Sequence, residues 1–545
     1  TQYDLAGRVE QMKDALNATT TYAYFYPRSN DPATAAAHSQ LYPNGSGTIT
    51  QIMDALSGTQ TTETYLDGGT KAVVGSATTP AKMDKGAWEE NGKSGTWSKT
   101  IRIGEDQNGD PTETEYTINY NDFAGRSSKI VGADGATSTS FYNAKNQLVR
   151  SVDPDGVTSL FAYDMRGRRF RQAVDMNDTG DIEENSPDHI SETAYDVISY
   201  QGAVVNRTRN YLFAQTAPAA KTLVSTNLRD GYGNQNWQID IYGNESSSIL
   251  SRTGNGNWTQ VRSSDDGSQQ KSSYTNGRMS ASQQLDDSGN ILESQSMTYD
   301  AHGRVATQTH SRTGTTSFTY SDRDEVLTQT APDPDGATGP LSSLRTEFSY
   351  DALGRQIKTI QPDLSEQYLA YSPRGEVIKS WGADQVPTEM EYDLQGRMRK
   401  LITWQDFDQL NGVGVSGKAE TKWAYHPQSG QMSSKTYEGG LQTLQYTYTP
   451  GRRLATRTNA RGIETRYAYN LAGELLAVDY QDADLTPDIL YSYTRFGGKD
   501  LVSDGQFDNQ APITAGAFFS TPPGLQTTRY RHDYGYSTGL NPMQL

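Results

Sequence analysis

Apolar and polar residues alternate along short stretches of this chain, which is the pattern of half-buried β-strands. Many of these stretches end at a tyrosine, and the residue two positions before it is usually apolar, so both lie on one face of the strand. These apolar residues are Phe161, Met297, Phe318, Phe348, Leu369, Met390, Tyr446, Tyr467 and Tyr491. No segment has the period of a helical domain, and the pattern therefore predicts an all-β protein.

The tyrosine opens a six-residue motif that recurs along the chain. The sequence Tyr163-Asp164-Met165-Arg166-Gly167-Arg168 returns in related form at 299–304, 350–355 and 392–397, and the chain begins with another copy at 3–8. Several successive tyrosines of this kind, such as Tyr350, Tyr371 and Tyr392, are spaced 21 residues apart. A fixed period of this length indicates tandem structural repeats.

Each repeat reads as two strands and two turns. In the motif, the aspartate can accept hydrogen bonds from its own turn, and the glycine tolerates a positive φ. The arginine then opens a second strand, such as 168–174. Second strands of other repeats end near a further turn, such as Asp155-Gly156 or Arg461-Gly462. One hairpin cannot bury its tyrosine face alone, so neighbouring hairpins are expected to join in a continuous sheet. The motif tyrosine, glycine and arginine are accordingly predicted to be scaffold residues.

These residues resemble the YD repeat of the Rhs family, whose consensus is close to Tyr-Asp-x-x-Gly-Arg-Leu. The resemblance covers most of residues 115–500 and a fragment at the start of the chain. It implies tandem β-hairpins that wind into a large spiral β-sheet shell or barrel, as in bacterial Rhs proteins, toxin-complex shells and teneurins. In polymorphic-toxin members such a shell encloses a C-terminal toxic segment, and in teneurins it serves cell adhesion.

The tail departs from one family pattern. Shell members that release cargo carry a motif near Asp-Pro-x-Gly-Leu, which is linked to self-cleavage. Here the corresponding residues are Ser537-Thr538-Gly539-Leu540, so the Asp-Pro pair is missing. The resemblance therefore does not extend autoproteolysis to this chain, and no toxin-like segment follows Leu540.

The regularity of the repeat divides the chain into five parts. They are an N-terminal divergent repeat region at 1–114, YD repeats at 115–174, an irregular repeat or insertion region at 175–298, YD repeats at 299–500 and a divergent C-terminal segment at 501–545. Short strands with long loops are expected at 27–114, still within the sheet. The segment 403–424 lengthens one repeat, and insertions of this kind are expected at the sheet edges.

Composition excludes several classes of protein. The 545 residues include 48 Lys and Arg against 65 Asp and Glu, a formal charge of −17, which argues against nucleic acid as a partner. No apolar run approaches the roughly 18 residues of a membrane-spanning helix. With no cysteine, the chain has neither disulfides nor thiolate chemistry. Its 34 tyrosines separate it from disordered acidic chains, which are poor in aromatic residues.

One acidic segment is a candidate calcium loop. Asp175, Asn177, Thr179 and Asp181 place oxygen atoms at alternate positions, and Gly180 supplies a sharp turn. Ser186 stands where a calcium loop usually has a bidentate glutamate, so the loop is degenerate. The segment 106–110 is a shorter version of the same pattern. Calcium is therefore the one cofactor that the sequence suggests, and the alternative is an ordinary acidic turn.

No catalytic residue can be named. Residues 412–419 nearly match a phosphate-binding loop, but Ala419 replaces the required Ser or Thr and no strand–loop–helix pattern surrounds it. The six histidines are scattered and no known catalytic motif includes them. The one enzyme class that stays open is a polysaccharide-cleaving one, since the many Asp and Glu residues could supply its carboxylate pair, but the sequence nominates no pair.

The sequence thus predicts a non-catalytic structural shell, a fragment of a larger secreted or cell-surface protein, by resemblance bacterial. Its partner would be a cargo or toxin polypeptide from the same larger protein, which the shell encloses or presents. The alternative is an extracellular adhesion or carbohydrate-binding module, in which exposed aromatic residues of 88–114 or 230–258 bind a cell-surface glycan or protein.

Overall fold

A computed structural model describes residues 1–3, 7, 9–13, 19–25, 48–54, 58–64, 70–74, 78–106, 110–213, 221–334, 343–440, 443–481, 486, 488–495, 497–505 and 530–533. Before residue 78 and after residue 499 it describes mainly the backbone. Every regular element in this part of the chain is a β-strand, which confirms the all-β prediction. Accordingly, the described residues hold no helix that could cross a membrane.

The strands are β1 (Gln2–Tyr3), β2 (Val9–Lys13), β3 (Thr19–Phe25), β4 (Thr48–Asp54), β5 (Gly58–Thr64), β6 (Thr70–Val74), β7 (Ala81–Glu90), β8 (Lys93–Glu105), β9 (Pro111–Asp122), β10 (Ser127–Gly132), β11 (Thr137–Tyr142), β12 (Leu148–Val152), β13 (Thr158–Tyr163), β14 (Arg169–Val174), β15 (His189–Tyr200), β16 (Ala203–Phe213), β17 (Lys221–Asp230), β18 (Gln235–Asp240), β19 (Glu245–Gly254), β20 (Asn257–Ser263), β21 (Gln269–Thr275) and β22 (Arg278–Leu285). They continue as β23 (Ile291–Tyr299), β24 (Val305–His310), β25 (Gly314–Tyr320), β26 (Val326–Thr330), β27 (Arg345–Tyr350), β28 (Gln356–Ile360), β29 (Glu366–Tyr371), β30 (Val377–Gly382), β31 (Thr388–Tyr392), β32 (Met398–Thr403), β33 (Asp406–Asp408), β34 (Val413–Ser416), β35 (Ala419–Tyr425), β36 (Met432–Thr436), β37 (Thr443–Tyr448), β38 (Leu454–Thr458), β39 (Glu464–Tyr469), β40 (Leu475–Tyr480), β41 (Asp488–Tyr493), β42 (Lys499–Gly505) and β43 (Tyr530–Asp533).

Consecutive strands pair antiparallel, so that the chain forms one long ribbon of sheet. Each strand pairs with the next in sequence, and the ribbon holds 41 of the strands. The exception is the insertion after β32, where β33 and β34 form a separate hairpin and β32 pairs directly with β35. The ribbon has two edges. We call the edge formed by the motif turns, such as 164–168, the motif edge, and the other the opposite edge.

The divergent regions differ from the sequence-based expectation. Strands β7, β8 and β9 have 10, 13 and 12 residues, so the prediction of short strands at 27–114 is wrong for residues 81–114. The threonines and alternating apolar residues of this segment favour extended backbone even where no motif marks the turns. The region 175–298 likewise forms regular hairpins in the same sheet.

The motif residues build a bonded turn, as the scaffold prediction requires. The Asp164 carboxylate accepts the backbone N–H groups of Arg166 and Arg168, both at 2.9 Å, and also the Arg168 Nε at 2.8 Å. Gly167 has a φ of 80° and donates its N–H to the Asp164 carbonyl. The Arg168 guanidinium lies 4.3 Å from the ring centre of Tyr195, in the next hairpin of the motif edge. Each motif is thus linked to its neighbour.

The motif tyrosines link adjacent hairpins by hydrogen bonds. The Tyr163 hydroxyl donates to the Leu148 carbonyl at 2.7 Å, and Leu148 is the first strand residue after the preceding motif-edge turn. The second strand bulges opposite the tyrosine, where Tyr163 pairs with Arg169. The same hydroxyl–carbonyl bond, at 2.7–3.0 Å, is made by Tyr142, Tyr299, Tyr320, Tyr350, Tyr371, Tyr392, Tyr425, Tyr448, Tyr469 and Tyr493.

A Tyr163→Phe variant tests the strength of this link. The change removes the hydroxyl and leaves the Leu148 carbonyl without that donor, so we expect a loss of about 0.5–1.5 kcal/mol in the free energy of unfolding. Tyr232→Phe is the control, because Tyr232 is 91% exposed at a motif-edge turn and should change nothing measurable. Urea unfolding checks both, and equal stability of the two variants would contradict a structural role for the hydroxyl.

Alkaline pH tests the contribution of the half-buried motif tyrosines. Burial, followed by the charge of Glu474 and the nearby Tyr491, raises the pKa of Tyr493 to about 12, and burial also raises the pKa of Tyr425 and Tyr469. A raised folded-state pKa means that stability is complete below the unfolded value near 10 and falls as pH rises through the folded value. We expect unfolding between about pH 10 and 12, with circular dichroism lost together with the rise in phenolate absorbance. Phenolate formation with an intact sheet would contradict this expectation.

The ribbon is a single layer without a large interior core. Fourteen hydrophobic side chains are fully buried among the described residues, and they lie in small local clusters such as Leu160, Ala173, Ile190 and Phe213. The protein is therefore an open, thin-walled structure, not a solid globule.

Candidate functional site: the seam of the spiral

Residues about 300 positions apart meet because the ribbon winds back onto itself. The Gln395 amide donates to the carbonyls of Ile103, at 2.6 Å, and Pro80, at 3.0 Å. The Thr114 hydroxyl donates to the Pro427 carbonyl at 2.9 Å. We call this line of contacts the seam. At the seam, the motif edge of the later winding meets the opposite edge of the earlier one.

The number of strands per winding sets the size of the spiral. The ribbon passes from the β8–β9 turn to the β31–β32 turn, which lies against it, in 23 strands. At a strand spacing of about 4.8 Å, the circumference is about 110 Å and the backbone diameter about 35 Å. Side chains of one sheet face take up about 5 Å on each inner wall, which leaves a hollow about 25 Å wide.

The seam is held first by an acidic turn between β12 and β13. The Asp155 carboxylate accepts the Gly451 N–H at 2.6 Å and the Thr449 hydroxyl at 2.7 Å, and it also pairs with the Arg453 guanidinium. Arg453 bonds Asp153 as well, at 3.0 Å. Burial disfavours the charged form of Arg453, but its bonds to Asp153 and Asp155 outweigh this, and the pKa of Arg453 is raised. The turn between β12 and β13 therefore binds the motif edge of the later winding through charge-assisted hydrogen bonds.

A second group of ion pairs joins earlier turns of the same two edges. Arg397 donates to Glu115 at 2.8 Å while its Nε stays bound to Asp393 of its own motif. Burial opposes the charge on Arg397, yet Asp393 and Glu115 together raise its pKa. Arg399 pairs with Glu105 at 3.0 Å. Motif arginines thus serve two purposes at the seam, one within their turn and one across it.

The last described seam contact fixes the loop between β14 and β15. Arg495 is 5% exposed and donates to three carbonyls of this loop, those of Asp188 (2.6 Å), Glu184 (2.7 Å) and Glu183 (3.2 Å). Burial is the first cause of the lowered pKa of Arg495, although Asp188 and Glu184 act against it. A guanidinium that satisfies three backbone acceptors closes the loop onto the later winding.

The candidate calcium residues lie in this same loop. Asp175 is 2% exposed, and its carboxylate accepts the backbone N–H of Gly180 at 2.8 Å and those of Asn177 and Thr179 at 3.3 Å. The Asn177 amide donates to Glu183 at 2.8 Å. Within the described ranges no group of three or more His, Asp or Glu side chains has a geometry that could hold a metal ion.

Calcium therefore stays a prediction of the sequence. Asp181 precedes Ile182, whose side chain packs on the local core of Leu160 and Phe213. The loop that contains both residues therefore covers this small core. A rise in the melting temperature on adding calcium, lost in Asp175→Asn, is the result that the prediction requires. An unchanged melting temperature would contradict it. The central residues of the shorter acidic segment at 106–110 lie outside the described residues.

The phosphate-loop-like segment and the candidate glycan-binding aromatic residues do not take part in the seam contacts described above. The segment resembling a phosphate-binding loop forms the β33–β34 hairpin, where the Gly412 carbonyl accepts a bond from Lys379 at 2.7 Å. Among the candidate glycan-binding aromatics, Trp237 is 3% exposed and Trp258 stacks on Tyr274 at 4.6 Å, whereas Tyr242 is exposed. The tail motif at 537–540 lies outside the described residues.

Sequence reasoning missed the seam residues. Asp155 was recognised only as part of a turn, and Arg453 and Arg495 were not singled out. One signal was available for Arg495, because the corresponding position of other motif copies holds Ala301, Ala352 or Leu394. A long cation at a position that is otherwise small or apolar suggests a contact specific to that turn.

Comparisons with known proteins agree with this architecture. Residues 142–176 match the family described as RHS Repeat. Double-stranded DNA deaminase toxin A of Burkholderia cenocepacia (strain H111) is 24% identical over 237 residues, which are 44% of this chain and 13% of that protein. The chain thus spans a small part of the length of that relative.

The comparison with solved structures gives one match at a TM-score of 0.50 and another below it. The crystal structure of TcdB2-TccC3-Cdc42 superposes with a TM-score of 0.50 at 13% identity, covering 98% of this chain and 31% of that chain. The crystal structure of TcdB2-TccC3-TEV gives a TM-score of 0.47 at 14% identity, covering 87% of this chain and 28% of that one. The first likeness supports the spiral sheet as a fold, and at this identity it carries no further meaning.

Proposed function

We propose that the chain belongs to the Rhs/YD-repeat family and is a non-catalytic shell wall that encloses or presents a polypeptide cargo of a larger protein. The observation that carries this proposal is the seam, because ion pairs and hydrogen bonds close a single-layer ribbon around a hollow. A solid protein of this size would need no such closure.

The proposed cargo is a toxic polypeptide segment, and the proposed location is secreted or at the cell surface. The relative from Burkholderia is itself described as a toxin, which supports a cargo of that class. A hollow about 25 Å wide accommodates an extended chain, which with its side chains is about 10 Å across. The wall therefore offers room for a segment of polypeptide along its axis.

Protection from proteolysis tests the proposal. A protease-sensitive reporter segment is fused after Leu545 and digested, and the wild-type wall is expected to slow its cleavage relative to the same reporter fused to an unrelated domain. The matched control is the same fusion carrying Asp155→Ala and Arg495→Met, which opens the seam and should restore fast cleavage. Equal cleavage of the reporter in all three fusions would contradict an enclosing function.

The adhesion or carbohydrate-binding alternative rests on exposed aromatic residues, and the burial of Trp237 removes one of its main candidates. A glycan array distinguishes the two functions, because the shell proposal expects no glycan to bind.

A further inference from the structure

One histidine lies between the two windings at the seam. His189 is the first residue of β15, on the opposite edge of the earlier winding, and its imidazole Nδ1 is 3.9 Å from the Glu474 carboxylate of the later winding. The two side chains are only 16% and 19% exposed. His189 also follows Asp188, whose carbonyl accepts a hydrogen bond from Arg495 at 2.6 Å. The charge on this ring therefore acts on the contact that closes the loop between β14 and β15.

Three charged groups from the two windings act on the ring. Glu474 and Asp188 favour the protonated imidazole, whereas the Arg495 guanidinium disfavours it. Burial is the largest influence and also disfavours the charge, so the pKa of His189 is lowered from its usual value. The neutral ring is therefore the form that suits the closed seam.

Neither carboxylate is placed to bind a protonated ring closely. The 3.9 Å between His189 and Glu474 exceeds hydrogen-bond distance, and the other Glu474 oxygen accepts the Asn470 amide at 2.6 Å. The Asp188 carboxylate accepts two backbone N–H groups of its own loop, at 3.0 and 3.1 Å. Protonation of the ring thus adds a second positive charge near the buried Arg495 guanidinium.

We propose that protonation of His189 weakens the seam, so that mild acid opens the wall at the loop between β14 and β15. As a means of releasing cargo, the inference rests on the proposed function. Opening returns the ring to water, where the pKa of a histidine is about 6.5. Because the pKa is lower in the closed form, the open form binds the proton more tightly. The seam is therefore most stable above about pH 6.5 and loses stability as the pH falls through the lowered pKa of the closed form.

Hydrogen exchange of the purified chain at about pH 7.5 and about pH 5.5 measures this effect. Carboxylates ordinarily titrate near pH 4, so the interval chiefly reports histidine. After correction for the intrinsic pH dependence of exchange, we expect the backbone amides of 175–188 and 470–474 in the wild type to lose protection several-fold at the lower pH.

Two variants assign the response to this ring, and a third is the control. His189→Gln stays neutral at both pH values and should keep its protection unchanged. Glu474→Gln removes a carboxylate that favours the protonated ring, so the pKa in the closed form falls further and the acid-induced loss of protection should exceed that of the wild type. His302→Gln makes the same change as His189→Gln in an exposed turn and should respond as the wild type does.

Equal protection of the wild-type seam at both pH values would overturn the proposal, as would an acid response that persists in His189→Gln. If His189→Gln does not fold, a response in Glu474→Gln no larger than that of the wild type decides against it. The proposed function fails separately, when the reporter fused after Leu545 is cleaved freely at about pH 7.5 although the seam is closed. A reporter that is protected while exchange shows no pH response contradicts the acid-sensitive contact alone.

Discussion

An Asp155→Ala variant is expected to lower the free energy of opening the seam by about 2–3 kcal/mol. The carboxylate accepts from Gly451, Thr449 and Arg453, and its removal leaves these donors and a half-buried guanidinium without a main partner. Arg453 keeps its bond to Asp153, which limits the loss. Hydrogen exchange should therefore accelerate about 30- to 150-fold at Gly451 and at its neighbours on both windings.

Asp266→Ala is the matched control. Asp266 occupies the same position of an equivalent opposite-edge turn, and its side chain is exposed and bonded only locally to the Ser268 N–H among the contacts of the described chain. It should cost less than about 1 kcal/mol, and exchange at the seam should not change. If Asp155→Ala and Asp266→Ala behaved alike, the contacts across the windings would have no energetic importance.

The second large effect is expected for Arg495→Met. Methionine fills a similar volume but donates no hydrogen bond, so the carbonyls of Glu183, Glu184 and Asp188 lose their shared donor in a buried site. We expect a loss of about 2–4 kcal/mol in the local free energy of opening. The loop 175–188 should then become the first site of limited proteolysis.

Arg166→Met controls for the loss of an arginine as such, because Arg166 lies in an exposed motif turn of the earlier winding. The rate of limited proteolysis at the loop 175–188 should be the same in Arg166→Met as in the wild type. Resistance of that loop to protease in Arg495→Met would show that Arg495 does not hold it.

The sequence predicts the hairpins because each repeat contains the residues that form its own turns and strands. The aspartate caps its turn, the glycine takes the positive φ and the alternating apolar residues define a face, and all of these act within about six residues. The structure confirms these roles at Asp164, Gly167 and Tyr163. The tyrosine contributes more than packing, since its hydroxyl bond links neighbouring hairpins.

The seam could not be predicted in the same way. Whether Asp155 meets Arg453 depends on how many strands complete one winding, and this number follows from the summed twist and curvature of 23 strands. A small change in curvature per strand would shift the contact by a whole hairpin. No local pattern therefore encodes the pairing, and the residues at the seam differ from one turn to the next.

The repeat motif also does not predict the lengths of the strands in the divergent N-terminal region. Strands β7 and β8 lack the tyrosine-to-arginine signature, yet β8 pairs with β7 and with β9 over 10 residues each. Cross-strand pairing with an already formed neighbour supplies the register that the local sequence lacks.

The most direct test of the spiral shell is electron cryomicroscopy of the purified chain. We expect a thin wall that closes on itself, with about 23 strands in a winding and a central hollow about 25 Å wide. Density for a solid globule, or for an extended ribbon whose residues 155 and 453 lie far apart, would contradict it.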